Sequence, residues 1–150
     1  MTQMRLILIS ILLLPQLALA TLGGRPESVT NDERNLKATA HTVKTVGSYT
    51  VHELPGSINT VKEYVSSDGV VFAVTWRGMK APDLSQLLGT YYSEYRAQKD
   101  SMPHQPGRQP VTIKTSNIVM IPGGHGRDLY GLAYVPALIP SGVNTSEVQP

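Results

Sequence analysis

The chain has no cysteine, one tryptophan and one phenylalanine. Without cysteine there are no disulfides, no thiol catalysis and no thiolate metal ligation. Charge is also sparse, at 16% of residues, and no window clusters lysine and arginine. A nucleic-acid partner would need such a basic footprint, so none is expected. The four histidines, His41, His52, His104 and His125, are not spaced from one another or from a carboxylate as zinc ligands are. No Gly-x-Ser-x-Gly elbow, Ser-x-x-Lys pair or phosphate loop occurs. Neither a metal nor a cofactor is expected.

What the chain does have begins at its N-terminus. Arg5 precedes an uncharged, almost wholly apolar run, Leu6 to Leu14, which Pro15 breaks, and Ala18-Leu19-Ala20 follows as a small-x-small site. This is the grammar of a cleavable signal peptide over residues 1–20. The apolar run falls short of the ~20 residues that span a bilayer, and no cysteine follows the site to carry a lipid. The expectation is an exported protein, periplasmic or secreted, with no stable membrane anchor after cleavage. Removing residues 1–20 takes away Arg5 and no acid, which lowers the formal charge from +2 to +1. The remainder suits one hydrophobic core, read as a single domain over 21–140 with a disordered tail at 141–150.

Within the domain, Ser28–Ala38 is polar and predicts at most a short helix. From Thr39 the apolar period becomes two. Thr39–Val46 and Tyr49–Leu54 read as strands joined at Gly47-Ser48. Thr60–Ser66 and Val70–Arg77 read as strands joined at Asp68-Gly69. Alternation puts Val70, Phe72, Val74 and Trp76 on one face, taken as the core face. Asp83 starts the clearest helix, 83–99, with Leu84, Leu87, Leu88, Tyr91, Tyr92 and Tyr95 in one stripe. Gly89 inside it suggests close packing on the sheet. Asp100–Pro110 reads as a loop, and Val111–Met120 and Leu129–Val135 as two further strands. The fold expected is α+β, a mostly antiparallel sheet of about six strands with one long helix (83–99) packed across one face.

Few residues invite chemistry. Pro122–Gly126 (PGGHG) offers Gly123, Gly124 and His125 as binding candidates, although a wide hairpin connection is the better reading of the segment. Tyr91, Tyr92 and Tyr95 are more simply core than a binding stripe. His41 and His52 sit on adjacent strands and can face each other. Glu63 stands out because alternation places it with Val61 and Val65 on the apolar face, opposite Val74. An acid there needs a partner, or it neutralises. Glu63 and His52 are therefore the catalytic candidates.

Tyr49–Glu53 (YTVHE), Lys62–Val65 (KEYV), Gly69–Trp76 (GVVFAVTW) and Pro82–Tyr91 (PDLSQLLGTY) resemble the bacterial family catalogued as domain of unknown function 2844. The opening Leu22-Gly23-Gly24, Ser28-Val29 and Asp32 is similar to that family's start after its signal peptide. The resemblance implies a bacterial exported protein and transfers no site. Two functions from different classes follow. The leading one is a non-enzymatic accessory or binding protein of the cell envelope, its partner an envelope protein or a small ligand. The alternative is a small hydrolase or isomerase using Glu63 with a histidine such as His52.

Overall fold

The computed structural model describes residues 22–25, 38–103 and 110–150. The expected signal peptide, most of the expected short helix at 28–38, and His104 with the rest of 104–109 lie outside these residues. Strands β1 (Thr42–Val46), β2 (Tyr49–Pro55), β3 (Asn59–Ser66) and β4 (Val71–Gly78) run as a meander. The helical segment is next, α1 (Leu84–Leu88) and α2 (Tyr92–Ser101), followed by β5 (Ile113–Lys114), β6 (Val119–His125) and β7 (Asp128–Tyr134). All seven strands form one sheet in the order β1-β2-β3-β4-β7-β6-β5, and every pairing is antiparallel. The α+β architecture is the expected one, with one strand more.

The additional strand comes from Val111–Met120, expected as a single strand. Thr115-Ser116-Asn117 breaks it into β5 and β6. Thr115 Oγ1 accepts from the amides of Asn117 (3.2 Å) and Ile118 (3.1 Å), a hydroxyl turn that local side-chain bonding makes competitive with extended backbone. Glu94 on α2 then accepts from Ser116 Oγ (3.3 Å) and Asn117 Nδ2 (3.0 Å), which ties this hairpin to the helix.

The helical segment lies on one face of the sheet. Asp83 caps it, its carboxylate accepting from the Ser85 amide at 2.9 Å. Leu87, Leu88 and Tyr95 are buried, and Leu84, Tyr91 and Tyr92 pack at the margin of the same core, against Leu54, Val61, Val65, Val74 and Trp76. Gly89, expected to mark close packing, meets a backbone requirement. Its φ of 50° and ψ of −124° end α1, a conformation closed to residues with a Cβ. A short 3-10 turn over Gly89–Tyr91 re-aims the chain into α2.

The β3–β4 hairpin departs from expectation twice, and the departures cancel. Gly69, at φ 75°, donates to Ser66 O and Ser66 donates to Val70 O, which makes the turn one residue longer than expected. A bulge then pairs Tyr64 with Ala73 but Val65 with Val71, so Phe72 is the extra residue. The bulge restores the register, and Glu63 stands opposite Val74 as alternation implies. It also turns Phe72 to the other face, correcting the assignment of Phe72 beside Val74 and Trp76. Val71 takes the helix-side position and pairs with the N-terminal segment, its amide donating to Gly24 O and its carbonyl accepting from Gly23 N.

Phe72 joins a second core with Tyr49, Tyr64, Ala73 and Val148 on the opposite face of the sheet. Residues 141–150, expected as a disordered tail, are the cover of this core. Val148 is 3% exposed. Asn144 caps a 3-10 turn over Thr145–Glu147. Tyr64 Oη donates to Gln149 O at 2.9 Å, and the buried Thr75 hydroxyl donates to the same oxygen at 3.3 Å. Burial, reinforced by the nearby Glu147 carboxylate, pushes the Tyr49 hydroxyl pKa up. With the helical segment on one side and this strap on the other, β4 is buried from Val71 to Trp76.

Candidate functional site

Cross-strand register places His52, Glu63, Val74, Ala133 and Met120 in one row across the helix side of the sheet. Glu63 is 1% exposed, flanked along β3 by the buried Val61 and Val65. The alternation argument thus placed it correctly. His52, its neighbour on β2, turns its imidazole elsewhere. Its Nδ1 lies 3.0 Å from His41 Nε2 and its Nε2 lies 3.4 Å from Thr50 Oγ1. Burial, and secondarily the adjacent His41, lowers the His52 pKa and favours the neutral ring. His41 and His52 do face each other as their strands imply, with ring centroids 5.2 Å apart. Among the described residues, no group of three or more His, Asp or Glu could hold a metal ion. The catalytic candidates are therefore adjacent, and neither is among the residues that line the two cavities described below.

The glycine-rich segment is not the wide connection expected. Pro122 to His125 belong to β6, and only Gly126-Arg127 turn the chain, with His125 paired to Asp128. Packing accounts for the glycines. A Cβ on Gly123 would enter the Tyr130 ring, and one on Gly124, at φ 88°, would enter the Asp128 carbonyl. The ladder pairs Gly124 with Leu129, so this stretch is hairpin rather than an anion cradle. His125 is exposed at the hairpin end, beside Asp128, whose pKa is lowered chiefly by the Arg77 hydrogen bond.

A site formed among the described residues was not singled out from sequence. An apolar groove of about 320 Å³ opens between the helical segment and the sheet, where β4, β6 and β7 end. Trp76 lies in it, with Leu84, Tyr95 and Met102 from the helical side and Met120 and Tyr130 from the strands. Gly131 faces Trp76, so the indole lies where a side chain would be, and Gly123 does the same for Tyr130. The brevity of β5 leaves the rim uncovered, with Val111 37% and Tyr130 39% exposed. Among the described residues Lys99 is the one charged residue of the lining, its Nζ 5.8 Å from the centre of the Tyr95 ring. A polar cavity of about 230 Å³ lies elsewhere, lined by Glu53, Lys62, Arg77 and Pro150 among others. The groove draws residues from six elements and loops. Only the Leu84–Tyr95 stripe and the single tryptophan signalled it in the sequence.

Among curated proteins and among solved structures, no match to this chain is found. A family model spans residues 18–148, from ahead of the first described residue to the strap that closes the second core. The chain belongs to the family described as Protein of unknown function (DUF2844).

Proposed function

We propose that this protein is an exported, non-enzymatic binding protein of the cell envelope, and that its apolar groove holds the guest. One observation carries the reading: the open cavity is lined by apolar and aromatic side chains, whereas Glu63 is sealed in the core away from it. A concave, mostly apolar site with few polar groups is the ordinary form of a small-ligand pocket. Export rests on the signal-peptide pattern of residues 1–20. The intact mass of the exported protein tests it, the expected chain beginning at Thr21.

Trp76 is the only tryptophan and lies in the groove, so it reports occupancy directly. An uncharged apolar fluorophore, N-phenyl-1-naphthylamine, should bind with one-to-one stoichiometry and quench Trp76 by energy transfer. Leu84→Gln should weaken that binding by about five-fold, the equivalent of ~1 kcal/mol of lost apolar contact. Absence of quenching, or binding indifferent to Leu84, would refute the groove as the site.

A further inference from the structure

The charges around the groove point to the chemistry of its guest. Lys99 is the charged residue inside the lining. Lys80 adjoins the lining residue Ala81, and Arg127 lies at the same end of the sheet, its Nη2 3.2 Å from the sulfur of Met79. Among the described residues none of these three cations is in an ion pair. The acids next to lining residues are all engaged. Asp128 takes both hydrogen bonds of the Arg77 guanidinium, at 2.8 and 2.9 Å. Asp83 caps the helix through Ser85, Glu94 accepts from Ser116 and Asn117, and Asp100 accepts from Arg96 at 3.3 Å. Hydrogen bonds keep Asp83 and Glu94 ionised. Among the described residues the three cations outside ion pairs outnumber these two carboxylates without a cationic partner. Lys99, within the lining, is the one placed to orient an anion.

We propose that the guest is a monomeric anionic amphiphile, its single alkyl chain along the groove and its head group at Lys99. The proposal rests on the binding reading above and names the ligand class for it. Walls of Trp76, Tyr95 and Met120 are mainly apolar and suit an alkyl chain. The groove's volume of about 320 Å³ lies at the lower end of the roughly 300–1,000 Å³ of small-molecule sites. Its concavity suits one molecule held between helix and sheet rather than a bilayer surface.

The test is displacement of bound N-phenyl-1-naphthylamine at pH 8 by decanoate, decanol and decyltrimethylammonium, each below its micellar concentration. Decanoate should displace the fluorophore at about one-third the concentration that decanol needs, the size expected of one exposed charge pair. Decyltrimethylammonium should be the weakest of the three. Lys99→Gln should bring decanoate down to the affinity of decanol, and high salt should narrow the gap in the unsubstituted protein. Equal displacement by decanoate and decanol would overturn the head-group assignment and leave the groove reading intact. A fluorophore that never binds would overturn both. Association with phosphatidylglycerol vesicles, with no displacement by decanoate, would also overturn the proposal by making this face a membrane surface.

Discussion

Gly131→Ala is the sharpest test of how the groove is built. Gly131 pairs with Trp76 across the β4–β7 ladder, and its φ is not among the positive ones, so alanine meets no backbone obstacle. The obstacle is the indole. A Cβ at Gly131 would lie 2.5 Å from Trp76 Cε2 and 2.6 Å from Cη2, and nearer still to Cζ2. Trp76 is 2% exposed and cannot swing into solvent, so it must move into the groove or push the strands apart. Overpacking of this kind costs about 1–3 kcal/mol, and the lower entropy of the unfolded alanine chain returns about 0.4–1. The expected net loss is about 1–2 kcal/mol, read as a lower urea midpoint followed by Trp76 emission and by far-ultraviolet circular dichroism. Binding of the fluorophore should weaken in the same variant. Gly123→Ala is the internal comparison. Its Cβ overlaps the Tyr130 ring just as closely, but Tyr130 is 39% exposed and can rotate outward, so the loss should stay below about 1 kcal/mol. A Gly131→Ala protein as stable as its parent, with unshifted Trp76 emission, would refute the stacking of Trp76 on Gly131.

Leu88 is 0% exposed under the helix, and Leu88→Ala should cost about 2–5 kcal/mol in denaturant unfolding; a loss below about 0.5 kcal/mol would mean that the stripe faces solvent. Val148→Ala should cost about 1.6 kcal/mol, from ~0.8 kcal/mol for each of two carbons lost from a buried site, and a neutral result would show that the C-terminal strap does not cover Phe72. His52 should make stability fall on acidification. Its folded-state pKa is lowered by burial, so the unfolded chain binds a proton first as pH drops through about 6.5. Stability should then decline until the folded-state pKa is passed, and His52→Gln should flatten that decline; an unchanged urea midpoint profile between pH 7.5 and 5 would exclude the linkage.

Much of the fold is legible in local chemistry. Gly47-Ser48 and the Asp68-Gly69 region turn the chain where period-two runs stop, so the β1–β4 meander follows from neighbours in sequence. The spacing of Leu84, Leu87, Leu88 and Tyr95 alone specifies which side of the helix is buried. Glu63 is legible for the same reason: alternation along β3 assigns its face, and the turn and the bulge beside it shift the register in opposite senses. His41 and His52 meet because a short hairpin joins their strands.

The remainder depended on contacts distant along the chain. Phe72 reads as a partner of Trp76 by alternation, but a bulge reverses one residue, and its side chain is accommodated by Val148, far along the sequence. The strap 141–150 is polar enough to read as a tail; its order comes from an apolar second face of the sheet and from Gln149 O meeting Tyr64 and Thr75. Gly123 reads as part of a glycine-rich hairpin connection and Gly131 carries no signal of its own, whereas across the ladder they leave room for Tyr130 and Trp76. The groove exists only once those rings, the helix and the ends of three strands are assembled. Local periodicity determined which residues of each element are apolar, and long-range packing decided which of them close into a core and which remain open as a site.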